Sequence, residues 1–205
     1  MARAQKNTPK KPTVYILHVA LEGIQPLIWR RIWVDGGFTL HALHHILQAA
    51  MGWTDAHLHD FRIGEQQYCL PDPEGMWRVP PVDERTVRLD QLLKKGMAFT
   101  YQYDFGDSWD HRILVENVRT VEHAPGAGYL EAGENACPPE DSGGIPGYQE
   151  FLDNLRASPK SEEVQEFLRW AGDDFDPTRF DRFAANAALL RMAWNHWVFL
   201  EEADR

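Results

Sequence analysis

The stretch MAFTYQYDFGDSWDHRILVENV, residues 97–118, decides the reading of the fold. Over residues 97–104 large side chains alternate, with Met97, Phe99, Tyr101 and Tyr103 on one side. That period of two belongs to a strand with one face buried. Residues 109–118 read as a second strand. Between them Phe105, Gly106, Asp107 and Ser108 have the composition of a hairpin turn. One hairpin cannot bury its own apolar face, so the rest of the chain must supply further strands and a helical layer.

Those elements are legible on both sides. Residues 14–21 form a strand rich in Val, Ile, Leu and Tyr. Residues 26–34, PLIWRRIWV, form another. Leu27, Trp29, Arg31 and Trp33 fall on one face, and Ile28, Arg30, Ile32 and Val34 on the other. Each face holds one Arg among apolar neighbours, and a buried Arg requires a carboxylate or carbonyl partner. Asp104 and Asp107 are the expected partners. Thr39 suits an N-cap for a helix to Met51, with Leu40, Leu43, Leu47, Ala50 and Met51 as its core stripe and Gly52 ending it in a left-handed turn. Residues 59–64 form a short strand, residues 69–86 a proline-rich loop, and residues 89–95 a short helix closed by Gly96. Residues 119–147 carry no periodic signal and read as a long acidic loop.

The last segment switches to helical spacing. Helices are expected over residues 147–155 and 161–170. A third is expected to start at Asp176-Pro177, with Phe180, Phe183, Ala187, Leu190, Trp194 and Trp197 as its buried stripe. The fold class is therefore α+β: a small mixed, mainly antiparallel sheet packed with helices, followed by a C-terminal helical layer. One domain is expected over residues 13–200, in a sheet-rich part (13–118), the loop (119–147) and a helical part (148–200). A disordered basic tail, residues 1–12, is expected to precede it.

The formal net charge is −10. Residues 120–176 hold thirteen acids against three bases, and the remainder carries eighteen of each. Non-specific duplex binding needs surplus Lys and Arg to displace counterions, so a protein that coats duplex DNA is excluded. No apolar run approaches the roughly 18 residues that span a bilayer, and no export signal is evident. With two cysteines, Cys69 and Cys137, far apart, a reducing cytoplasmic setting is expected.

Four segments, in this order and spacing, resemble the plasmid pRiA4b ORF-3 family, also known as transposon passenger proteins: PLIWRRIWV (26–34), LHHILQAAMGW with HLHDF (43–61), YQYDFGDSWDH (101–111) and ACPPEDSGG (136–144). The resemblance spans residues 13 to 190. It implies an α+β fold and a link to plasmids and mobile elements, and assigns no reaction. In many relatives the late loop carries cysteines on both sides of the one in CPPED. Here Leu130 and Ser142 stand there, and Cys137 alone cannot complete a structural zinc site.

Candidate chemistry falls in four groups. His41 and His45 lie one helical turn apart, a spacing that lets two imidazoles hold one metal, and His57 and His59 follow after a turn. No cofactor is fixed by this pattern, and a divalent transition metal is the candidate. The plainer reading has His44 packed on the core stripe, His41 and His45 solvated, and His57 and His59 bonding backbone. Asp107 and His111 are the candidate acid–base pair, against a structural role in fixing the hairpin. Glu140 and Asp141, on a loop stiffened by prolines, are candidates for binding a cation, an Arg or a helix N-terminus. Arg30, Arg31, Trp53, Tyr103, Asp104 and Trp109 complete the candidate binding set. Trp29, Trp33 and Trp77 join Trp53, Trp109, Tyr101 and Tyr103 as a conceivable base-stacking platform, weighed against ordinary core aromatics. Three functions remain open: an interaction module with a basic protein partner from a mobile element, a metal-dependent hydrolase of phosphoesters or nucleic acid, and a single-strand binder.

Overall fold

The structure is a computed structural model and describes residues 11–72, 79–172 and 174–195. Most of the expected basic tail, together with Trp77 and Trp197, lies outside the described residues. Strands β1 (Thr13–Leu21), β2 (Ile28–Asp35), β3 (His59–Ile63), β4 (Gln66–Cys69), β5 (Val82–Asp83), β6 (Ala98–Tyr103), β7 (Trp109–Thr120) and β8 (Tyr129–Glu134) form one sheet in the order β5-β4-β3-β6-β7-β1-β2-β8. Every pairing is antiparallel except β4 with β5. The helices are α1 (Leu40–Met51), α2 (Leu89–Leu92), α3 (Gly144–Ala157), α4 (Glu162–Ala171) and α5 (Arg182–Trp194), with a 3-10 turn at Glu84–Thr86.

The hairpin of residues 97–118 forms as its alternation predicts. Phe99, Tyr101 and Tyr103 oppose Ile113, His111 and Trp109 across the ladder. All six are buried on the face that α1 covers. The same rows continue through Leu21, Val19 and Leu17 of β1 into Ile28, Arg30 and Ile32 of β2. Each aliphatic side chain so buried stabilises the fold by roughly 1.5–3 kcal/mol.

Arg30 finds carbonyls rather than Asp104 or Asp107. Its guanidinium donates to the carbonyls of Ala50 (3.1 Å), Trp29 (2.8 Å) and Glu134 (2.9 Å), and lies 4.0 Å from the centre of the Phe180 ring. Gly133, opposite it on β8, has no room for a Cβ, which would sit 2.7 Å from the Trp29 carbonyl and 2.9 Å from Arg30 Cδ. Arg31 pairs with Glu116 on the other face.

Three expectations are corrected. The supposed loop of residues 119–147 contains β8, an edge strand with only Leu130 buried, so no alternating pattern marks it. The last helix starts at Arg182, where the Asp181 carboxylate accepts from the Phe183 and Ala184 amides (3.0 and 2.9 Å). Asp176 instead caps a local turn through Thr178. The core face of α5 is Leu189 and Met192, while Phe183, Leu190 and Trp194 are 77, 67 and 86% exposed.

A candidate metal centre at the cleft between the first and last helices

Helix α1 presents its histidines on two adjoining faces. Thr39 caps it by accepting from the Ala42 amide, and Gly52 ends it at φ 93°. His44 and Gln48, one turn apart, point at the sheet and are buried. His41 and His45 line a cleft of about 1100 Å³ between α1 and α5. Its other walls include Trp53, Leu70 and Met192, with Arg191 as the cation among the described residues that line it. Small residues on α5 (Ala184, Ala187 and Ala188) leave the space open.

Beneath the cleft the polar groups form a closed ring. Gln48 Nε2 donates to the Tyr101 hydroxyl (2.9 Å), and that hydroxyl lies 2.8 Å from His44 Nδ1. His44 Nε2 is 2.7 Å from Asp55 Oδ1, and the Asp55 amide returns to Gln48 Oε1 (3.0 Å). An ionised carboxylate only accepts, so His44 carries its proton on Nε2, and its Nδ1 accepts the hydrogen bond that the Tyr101 hydroxyl donates. Burial lowers the imidazole to about 4 despite Asp55, which keeps it neutral. Burial would raise Asp55, but hydrogen bonds from His44 and His45 prevail and hold it below the usual carboxylate range. Asp55 adopts a left-handed backbone (φ 61°) to reach both rings, a conformation Asp tolerates better than most residues.

The second carboxylate comes from the opposite side. β5 leads into the 3-10 turn, which inserts Glu84 fully buried between His41 and His59. His41 Nδ1 lies 2.8 Å from Glu84 Oε1, and His59 Nε2 lies 3.0 Å from both carboxylate oxygens. Burial opposes its charge, yet these hydrogen bonds lower Glu84 to about 2.

The two carboxylates therefore fix the tautomers of the cleft histidines. His41 Nδ1 is held by Glu84, and His45 Nδ1 lies 3.2 Å from Asp55 Oδ2. Both rings then turn Nε2 toward each other, 3.1 Å apart with planes at 80°. Two facing imidazole lone pairs repel unless a cation lies between them, either a proton or a metal ion. Carboxylate behind imidazole behind metal is a recurrent way to orient such ligands. His44, Asp55 and His59 also lie close enough together to suggest a metal site. However, His44 and His59 stack at 3.4 Å with planes 3° apart. An ion sits in the plane of each imidazole that binds it, so parallel stacked rings cannot share one.

The residues singled out in the sequence divide between this site and others. His41 and His45 meet, and His59 joins them through Glu84. His57 does not: it lies with Asp104 and Asp141, beyond the turn of residues 53–57. Asp107 and His111 share no hydrogen bond among the described residues. His111 is fully buried with Nδ1 at 3.3 Å from the Tyr101 carbonyl, and burial lowers it to about 4. Trp109 is fully buried, and Trp53 stacks on Tyr103 (4.8 Å) and donates to the Pro138 carbonyl. Tyr103 donates to Glu140 (2.6 Å), which also accepts from the Thr54 amide. Asp55, Glu84, Gln48 and Arg191 were not picked out from the sequence. Gln48, one turn after His44, carried a spacing signal; Glu84, among prolines and other acids, carried none.

Residues 13–184 match the family described as plasmid pRiA4b ORF-3-like protein. The chain is 40% identical over 183 residues to the uncharacterised protein y4hQ of Sinorhizobium fredii, covering 88% of this chain and 90% of that protein. It is similar to the crystal structure of MM3350 from Methanosarcina mazei Go1, a protein of unknown function, with 34% identity, a TM-score of 0.76, and coverage of 86% of this chain and 98% of that one. On these matches, the chain belongs to the plasmid pRiA4b ORF-3-like family.

Proposed function

We propose that this protein is a metal-dependent hydrolase of small phosphoesters, its ion held by His41 and His45 at the cleft. The single observation behind this reading is the 3.1 Å approach of two Nε2 atoms whose rings are each fixed by a carboxylate. A divalent ion there would lower the pKa of bound water toward about 7 and polarise a phosphoryl oxygen. Among the described residues the cleft offers these two imidazole ligands, and water and substrate would fill the remaining positions. Arg191 would meet the anionic oxygens, while Trp53, Leu70 and Met192 would hold an apolar ester group. Among the described residues the wall is apolar with one cation, which suits a compact ester better than a nucleic-acid strand, since a strand needs a basic track.

The test is metal content of untagged protein by mass spectrometry, followed by hydrolysis of bis(p-nitrophenyl) phosphate with Zn²⁺, Mn²⁺, Co²⁺ or Ni²⁺ added. The expected result is that His45→Ala binds one equivalent of metal fewer than the parent and loses activity, while circular dichroism is unchanged. Absence of uptake, or uptake and turnover untouched in His45→Ala, refutes the reading.

A second reading, an interaction module, is favoured by the exposed stripe Phe183, Leu190 and Trp194 on α5, over which only the Arg182 guanidinium lies, against Phe183, among the described residues. Cross-linking in cells would identify a partner whose cross-link disappears in Trp194→Glu. A cross-link pattern indifferent to Trp194 counts against it.

A further inference from the structure

Three segments far apart in the chain meet at a second cluster, on the other side of the turn of residues 53–57. His57 closes that segment between α1 and β3, Asp104 directly follows β6, and Asp141 lies just before α3. His57 Nε2 is 3.7 Å from Asp104 Oδ2 and 3.5 Å from Asp141 Oδ1, and the three ligand atoms all lie within 4.8 Å of one another. These separations are long for hydrogen bonds. Neighbouring ligands on one ion stand roughly 3.0–3.6 Å apart when metal–ligand bonds are about 2.1–2.2 Å; the His57–Asp141 separation lies within that span and the His57–Asp104 separation 0.1 Å beyond it.

Asp104 is built for this position. It is only 8% exposed. Its Oδ1 is committed to the turn, accepting from the Gly106 amide (2.9 Å) and the Asp107 amide (3.3 Å). Its Oδ2 accepts no hydrogen bond among the described residues, and faces His57 and Asp141. Its amide donates to the Leu58 carbonyl (2.9 Å), fixing it against the chain that carries His57. That leaves Oδ2, on a side chain 11% exposed, as the oxygen turned to the imidazole and available to a cation. Glu140 and Trp53 hold the remaining wall in place. Glu140 accepts from Thr54 and Tyr103, and the Trp53 indole donates to Pro138, so the loop bearing Asp141 is latched to the one bearing His57.

We propose that His57, Asp104 and Asp141 form a second divalent-cation site, distinct from the His41–His45 pair. One imidazole with two carboxylates is a donor set for an oxygen-preferring ion such as Mn²⁺ rather than for thiophilic metals. Asp141, whose side chain is 75% exposed, leaves outer positions to water, so the ion exchanges freely. Bound there, it ties the segments around residues 57, 104 and 141 together, two positions from Asp55 of the cleft site. No ligand is shared with the cleft, and this inference stands whether or not the cleft binds metal.

The test uses full-length His45→Ala protein, in which the cleft pair is broken, titrated with Mn²⁺ and followed by electron paramagnetic resonance. One equivalent should bind, with imidazole-nitrogen modulation in the pulsed spectrum. Asp141→Asn should weaken binding at least roughly tenfold, as loss of a charged ligand does, and His57→Gln should abolish the nitrogen modulation. Asp141→Asn is surface-exposed, so its reading does not depend on refolding a core. The site is overturned if the parent binds no Mn²⁺, if the bound ion shows no nitrogen coupling, or if both variants bind as the parent does.

Discussion

Lowering the pH from 7 to 5 should destabilise this protein by about 4 kcal/mol, and the cause can be assigned to two residues. His44 and His111 are 1% and 0% exposed. Burial lowers each from an ordinary 6.5 to about 4 in the folded chain. Because the folded values lie below the unfolded ones, the unfolded chain binds more protons between pH 6.5 and 4. Stability from these groups is complete above pH 6.5 and is lost as pH falls through 4. Between pH 7 and 5 each contributes a loss of about 2 kcal/mol. Glu84, lowered from 4.5 to about 2, has the same sign but acts later, losing its contribution only as pH drops from 4.5 toward 2. Urea unfolding followed by tryptophan fluorescence at pH 7, 6 and 5 measures the slope. His111→Leu should remove about half of it, since His44 remains. A change below about 1 kcal/mol between pH 7 and 5 would refute the argument that both rings are buried neutral.

Other consequences follow from single contacts. Glu84→Gln removes a buried charge that two imidazoles bond. It should cost about 3 kcal/mol in urea unfolding and weaken metal binding at His41 and His45 roughly 10–100-fold in a competition titration, as loss of a carboxylate behind a ligand does. Gly133→Ala forces a Cβ against the Trp29 carbonyl and Arg30, so a loss of about 1–3 kcal/mol is expected by the same assay. Arg31→Ala breaks a half-exposed pair with Glu116, and its effect should stay below about 1 kcal/mol. Burial pushes the Cys69 and Cys137 thiols up to about 11 and about 12, so neither should be alkylated by iodoacetamide at pH 7.5 until the chain is unfolded, as mass spectrometry would show.

What the sequence determined is local. Alternation in residues 97–118, the Thr39 cap and Gly52 stop, and the i,i+4 spacing of His41 and His45 depend on neighbours a few positions away, and each appears where its pattern lies. The four segments resembling a known family were likewise legible, and the match over residues 13–184 bears out the family. β8 left no pattern, because an edge strand with one buried side chain has no alternation to show. The outward turn of Phe183, Leu190 and Trp194 was equally hidden, since helical spacing gives a stripe but not which stripe meets the core.

Tertiary structure alone decided the partners of the charged and ionisable groups. Glu84 lies 43 positions from His41 and 25 from His59, and Asp141 lies 84 beyond His57 by residue number. A carboxylate is committed to an imidazole by distance and desolvation, and for Glu84 both are set only when β5 pairs beside β4 and the 3-10 turn after it meets α1. The sequence shows which groups are available for chemistry. Burial and geometry determine that His44 is neutral, that Asp55 and Glu84 stay charged, and that two imidazole nitrogens face each other across 3.1 Å.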